Sequence, residues 1–202
     1  MNESYRKILA DIESTSPTPG GGAVSALILG HAIALNRMVC GLTIGRDKWI
    51  EGHEIANNYL EKSESWVSNS VTMANNDCEA FNKVMMAYRM PKESDEEINE
   101  RNNAIALANK LAIKSPLDIA YFCLEVLKDM SDLAATCNSN AITDIGTANH
   151  LILAATESAA LNVKINLSSS SDVLTYEKLI NEVISSVRTL HNAINLIVEN
   201  RM

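Results

Sequence analysis

Gly20-Gly21-Gly22 opens directly onto an apolar stretch over residues 23–44, and this junction constrains the fold more than any other feature of the chain. The stretch is apolar on nearly every side of a helix, so it must be a central, buried element with other helices around it. Pro17 and Pro19 stiffen the approach. The glycines then present backbone N–H groups with no side chains in the way. Two readings of the bend stay open. It can receive an anionic or electron-rich ligand group at a helix N-terminus, or it can be a tight turn that lets two helices pack closely. It matches neither the dinucleotide nor the P-loop glycine pattern.

The rest of the chain also reads as helix. Tyr5, Ile8, Leu9 and Ile12 recur at the spacing of one helical face. A long helix is expected from about residue 51 to 88, stopped by Met90-Pro91-Lys92. Ser94 with Glu97 forms a capping box for the next helix, expected to end near residue 114. Ser115 and Pro116 read as the N-cap and first turn of another. Residues 137–140 read as a loop, Thr143 or Asp144 as the cap of a helix to about 166, the serines at 168–171 as a short break, and 172–199 as a final helix. No stretch alternates with period two. Aromatic residues are only 4%, so the core must be built from Ala, Leu, Ile, Val and Met, which suits close helix packing. The expected fold is all-α: a single-domain antiparallel bundle of long helices over residues 1–202.

A net charge of -8 with no basic stripe argues against nucleic acid, and an anionic ligand would need a local cationic cluster. Cys40, Cys78, Cys123 and Cys137 are widely spaced, and the histidines show no metal-ligand spacing. No metal site is expected. The first residues lack a signal peptide's apolar core. Asn36-Arg37 is read as cutting the long apolar run too early to span a bilayer. A cytoplasmic protein with no membrane partner is therefore expected.

Asp77 breaks the pattern most clearly. It falls in register with Trp66, Ser70, Met73, Ala74, Phe81, Val84 and Tyr88 on one helical stripe. A carboxylate on an apolar face tends to a raised pKa, which suits proton transfer near neutral pH, unless a lysine or a local cap neutralises it. Arg46 and Lys48 are candidates for a clamp on a carboxylate-bearing ligand, and Arg89 and Lys92 could serve likewise. Asn138, Asn140, Thr143 and Asp144 form a polar junction, more than capping alone requires. Asn162 and Asn166 share a helical face, whereas Lys164 between them cannot. His31, within the apolar helix, reads as a core histidine.

Four blocks in order resemble the formiminotetrahydrofolate cyclodeaminase and methenyltetrahydrofolate cyclohydrolase family. They are Pro17-Thr18-Pro19-Gly20-Gly21-Gly22-Ala23-Val24-Ser25-Ala26-Leu27; Asp77-Cys78-Glu79-Ala80-Phe81-Asn82 with Tyr88-Arg89-Met90-Pro91-Lys92; Asn138-Ser139-Asn140-Ala141-Ile142-Thr143-Asp144-Ile145-Gly146; and Asn162-Val163-Lys164-Ile165-Asn166-Leu167. Ala23 stands where the family often has serine, and Cys137 where glycine is common.

The resemblance implies an all-helical homodimer that binds a reduced folate, with Asp77 catalytic. The implied substrate-binding set is Gly20, Gly21, Gly22, Arg46, Lys48, Asn138, Asn140, Asp144, Asn162 and Asn166. The implied reaction converts 5-formiminotetrahydrofolate to 5,10-methenyltetrahydrofolate and ammonia. Methenyltetrahydrofolate hydrolysis, or folate binding without catalysis, are the alternatives. The tetrahydrofolate derivative is a substrate, and no metal or redox cofactor is implied. The chain leaves no room for a formiminotransferase domain, so it is expected to act as a separate polypeptide.

Overall fold

The computed structural model describes residues 3–167 and 172–202. The serine run at 168–171 lies outside them. Among the described residues there are eight α-helices, two short 3-10 helices and no strand. The α-helices are α1 (Glu3–Glu13), α2 (Gly21–Ile44), α3 (His53–Lys62), α4 (Trp66–Tyr88), α5 (Asp95–Lys128), α6 (Met130–Thr136), α7 (Ile142–Leu167) and α8 (Val173–Arg201).

The centre is a closed square of four helices: α2 packs on α4 and α7, and α5 packs on the same two. Their side-chain pairings run in opposite directions at every edge. Gly22 faces Asp77 while Gly30 faces Ser70, so α2 and α4 are antiparallel. Asn166 bonds Ala112 and Cys123 bonds Thr156, so α5 and α7 are antiparallel. The helix α8 lies along α7 and α5. The expected antiparallel bundle is thus the observed one.

α2 is the central helix that its composition demands: Ala23, Ala26, Leu29, Ala32, Ile33, Val39 and Cys40 are fully buried. By length and hydropathy it could cross a membrane, contrary to the expectation that Asn36-Arg37 cuts it short. Its apolar residues are instead spent on the bundle core. Asn36 donates to the Tyr59 hydroxyl (2.9 Å) while its buried Oδ1 lacks a partner, and Arg37 donates to the Leu60 carbonyl (2.8 Å) and the Ser63 hydroxyl (2.7 Å). Tyr59, Trp66 and Phe122 stack edge to face at one end of the square, with centroids 5.7 Å apart at each step.

Three local expectations are corrected. The helix expected over 51–88 is broken at Ser63–Ser65 into α3 and α4, because Ser63 turns its hydroxyl onto the Tyr59 carbonyl (2.6 Å) and receives Arg37. The break expected at Ser115-Pro116 does not occur: α5 runs through Pro116. A proline there removes the N–H that would bond the Ala112 carbonyl. Asn166 of α7 supplies the missing donor, 2.8 Å away, and the helix continues. His31 is exposed, resting against the edge of Tyr5, and the buried histidine is His191. The capping box at Ser94 and Glu97 is formed as the sequence indicates.

Candidate active site

The stripe on α4 changes its job at Asp77. Trp66, Ser70 and Ala74 before it are buried in the core, while Phe81, Val84 and Tyr88 after it line an open cavity of about 310 Å³. Asp77 stands at the inner end of that cavity. Asn109 and Ala112 of α5 and Asn162, Ile165 and Asn166 of α7 form the facing walls.

The carboxylate is held against the start of α2. A Cβ built on Gly22 would lie 2.6 Å from Asp77 Cγ and closer still to both oxygens. Glycine is therefore needed at 22 for close approach, not for a left-handed backbone, since no described glycine has positive φ. Gly21 faces Asn162 less closely: its Nδ2 would lie 3.4 Å from a Cβ, an ordinary contact. Gly20 is the N-cap and its carbonyl accepts from Val24 N–H at 2.9 Å. The close-packing reading of the glycine run is the observed one: α2 and α4 approach tightly, and the group at the α2 N-terminus is the chain's own Asp77 carboxylate, which also lines the cavity.

Burial pushes the Asp77 carboxyl above the ordinary aspartate range. The Ala23 backbone N–H at the α2 N-terminus and the Ser115 hydroxyl pull the other way. Desolvation is the larger effect. The result is a carboxylate that is a stronger base than an exposed aspartate, with its pKa shifted towards neutral pH, where a proton carrier works best. Neighbouring Cys78 feels the same charge, and its thiol is raised by burial and by Asp77.

The candidate residues fall into two groups. Asp77, Gly21, Gly22, Asn162 and Asn166 meet at this cavity and its rim, with Gly20 one residue away. Asn166 is shared with the fold, because its amide also satisfies Ala112. Lys164 points elsewhere, to a surface hollow with Glu157 and Arg188. Arg46, Lys48, Asn138, Asn140 and Asp144 line a second cavity of about 300 Å³ with Leu42 and Trp49. That cavity is at the opposite end of α2, roughly 30 Å along the helix from Gly22. There Asn138 is a stitch: its Nδ2 donates to the Leu42 carbonyl (3.1 Å) near the end of α2, and its Oδ1 accepts from Asn140 N–H (3.0 Å). Lys48 lies over the Trp49 ring at 4.8 Å. Within one protomer the two groups cannot touch the same small molecule.

Ser115, Asn109 and Ala112 also belong to the Asp77 site, though nothing in the sequence singles out the last two. Ser115 is hidden by its neighbour, since Ser-Pro reads locally as a helix start. Beyond Ser115, a cavity of about 340 Å³ opens between α4 and α5, where Lys83 and Lys114 are matched by Glu79 and Asp118. Among the described residues no three His, Cys, Asp or Glu side chains group as a metal site.

Residues 4–185 match the family model for formiminotransferase-cyclodeaminase. A methenyltetrahydrofolate cyclohydrolase from Methylorubrum extorquens is 38% identical over 182 residues, which are 90% of this chain and 88% of that protein. A formimidoyltransferase-cyclodeaminase from Rattus norvegicus is 25% identical over 178 residues, 88% of this chain but 33% of the rat protein, so this chain spans about a third of its length. Among solved structures, formiminotetrahydrofolate cyclodeaminase from Thermotoga maritima superposes with a TM-score of 0.82 at 26% identity, covering 96% of this chain and 95% of that one.

Proposed function

This chain belongs to the formiminotransferase-cyclodeaminase family, and from that premise we propose that it hydrolyses 5,10-methenyltetrahydrofolate to formyltetrahydrofolate, with Asp77 moving the protons. The reading rests on one observation: a half-buried carboxylate, raised by desolvation, at the inner end of a cavity walled by apolar side chains and amides. The choice of hydrolysis is supported by the 38% identity to a cyclohydrolase over nearly the full length of both chains. Ring closure with loss of ammonia from 5-formiminotetrahydrofolate is the second reading, favoured by the fold shared with the Thermotoga maritima protein.

Both reactions use the same carbon and the same proton traffic. In hydrolysis, water forms a C–O bond to the cationic bridging carbon and gives a proton to Asp77. The carbon–nitrogen bond to the ring nitrogen then breaks as the C–OH becomes the formyl C=O; the carboxyl returns its proton to that nitrogen, and the hydroxyl proton is released to solvent. In deamination, the nitrogen next to the aminobenzoyl group attacks the formimino carbon. Its proton passes through the same carboxylate to the departing ammonia. The ionised carboxylate also faces the cationic one-carbon unit, which lowers the cost of its positive charge. Gly21 and Gly22 keep the wall beside Asp77 thin, and Asn162 and Asn166 offer amide groups to a heterocycle. Neither reaction changes an oxidation state, so no redox cofactor enters the scheme, and the proton transfers are assigned to Asp77.

In this reading the protein is a cytoplasmic homodimer with no membrane or nucleic-acid partner. Pairing of two copies is supported by apolar side chains left uncovered on α1 and α2: Ile8, Leu9, Met38 and Leu42. Arg46, Lys48, Asn138, Asn140 and Asp144 could serve the Asp77 cavity only from a second protomer.

The test is incubation with each folate while the methenyl absorbance is followed. Its loss with methenyltetrahydrofolate supports hydrolysis. Its appearance with release of ammonia from formiminotetrahydrofolate supports deamination. No change with either, in a folded protein, overturns the assignment.

A further inference from the structure

Behind Tyr88, a lining residue of the Asp77 cavity, lies a cation that neither the resemblance nor the comparisons assign. We propose that Arg101, stacked on Tyr88, binds the carboxylate tail of the folate whose one-carbon unit lies at Asp77. The inference rests on the folate reading above.

The argument starts with a shortage. The residues lining the cavity include Asp77 but no lysine or arginine, while a folate carries one or more carboxylates at the end away from its pteridine. Within the same protomer, Arg46 and Lys48 are at the wrong end of α2. Following the groove outward along α4 leads from Asp77 to Tyr88, roughly 16 Å of helix. Tyr88 is half exposed and forms the outer wall. The Arg101 guanidinium lies over its ring at 5.7 Å and donates to its carbonyl at 3.3 Å. On α5, Arg101 is in register with the cavity residues Asn109 and Ala112 through Ile105.

Arg101 is also underused. Its Nε is buried with no hydrogen-bond partner, and it makes no ion pair among the described residues. The acid one turn back, Glu97, is occupied: its Oε2 accepts from Glu93 N–H (2.8 Å) and Ser94 N–H (3.1 Å) in the capping box. A planar guanidinium braced on an aromatic ring and free of its own carboxylate is suited to bind one from a ligand. The lengths agree. From the reacting carbon across the aminobenzoyl ring and amide to the glutamate carboxylates is roughly 10–13 Å by ordinary bond lengths, and the arginine side chain covers the remainder.

The experiment compares 5,10-methenyltetrahydrofolate with the tetrahydropteroate analogue that lacks the glutamate, in the wild type, in Arg101→Gln and in Arg101→Lys. The wild type should show a KM about 10- to 100-fold higher for the tailless analogue, the scale of a charge-assisted hydrogen bond. Arg101→Gln should raise KM for the glutamyl substrate to the tailless level, leave kcat within about twofold, and leave KM for the analogue unchanged, the pattern of lost uniform binding. Arg101→Lys should fall between. Equal effects on both substrates, or none, would overturn the inference. So would loss of tail preference in an Arg46→Gln, Lys48→Gln double variant in place of Arg101→Gln. Kd values from calorimetry with tetrahydrofolate and tetrahydropteroate give the same ratio without turnover. A wild type that neither turns over nor binds either compound overturns the folate reading and this inference together. Binding of both without tail discrimination overturns Arg101 alone.

Discussion

Gly22→Ala tests the link between helix packing and catalysis at a single methyl group. The added Cβ would lie 2.6 Å from Asp77 Cγ, about 1 Å inside ordinary carbon contact. Something must move. Prying α2 from α4 disturbs a packed core and costs about 1–3 kcal/mol. Turning the Asp77 side chain off its preferred rotamer costs about 0.5–1.5 kcal/mol, and replacing a helical glycine with alanine returns up to about 1 kcal/mol. The cheaper response is for the carboxylate to yield. Stability should therefore change by no more than about 1 kcal/mol, a shift in Tm of about 2–4 °C. Catalysis has no such refuge, because a reacting group displaced by about 1 Å costs on the order of 100-fold in rate. The assay is kcat/KM from methenyl absorbance alongside a thermal melt. Gly41→Ala on the same helix is the control: a Cβ there meets nothing within 4 Å, so activity should hold and stability should rise slightly. A Gly22→Ala enzyme with wild-type kcat/KM would refute the reasoning. So would a variant that fails to fold, since that would mean the helices and not the carboxylate are the rigid party.

Three further outcomes are expected. The acid limb of kcat/KM against pH should have its midpoint above the ordinary aspartate value, because the ionised form of a raised carboxyl takes the proton. The same shift means that the folded state binds more protons than the unfolded one between those two values, so stability falls as pH rises through that window. Asp77→Asn should then melt higher than the wild type at neutral pH while losing at least about 100-fold in activity. His191 behaves oppositely: burial lowers its pKa from 6.5, with Asn149, Asn195, His150 and Glu157 around it, so the stability lost on its protonation goes as pH falls below about 6.5. Urea midpoints measured against pH should show that acid-side slope in the wild type and lose it in His191→Gln. Finally, Asn166→Ala should cost about 1–3 kcal/mol by stranding the Ala112 carbonyl, and clearly less in a Pro116→Ala background, where residue 116 regains its N–H. Additive losses in a denaturation cycle would contradict this.

How much of the site was legible depends on whether the signal was local. Asp77 was readable because a charge at a core-facing position of a regular helix is a conflict visible in spacing alone. The capping box at Ser94 and Glu97 was readable for the same reason, since both partners lie within one turn. Ser115 and Pro116 were misread because their local pattern means helix start. The counter-evidence, an amide from Asn166, comes from another helix. His31 was misread because an apolar neighbourhood in sequence did not say which side of α2 would be covered.

The sequence alone determined that this chain forms helices, that α2 lies among them, and that one acid interrupts an apolar face. Those are consequences of periodicity and of the cost of burying charge, which act within a few turns. Only the tertiary structure decided which candidates share a cavity. Two helices meeting at Gly22 bring residues from α2, α4, α5 and α7 together at one end of the bundle, while Arg46 and Lys48 are carried to the other. Proximity between distant segments follows from how helix faces pack, and no single segment contains that information.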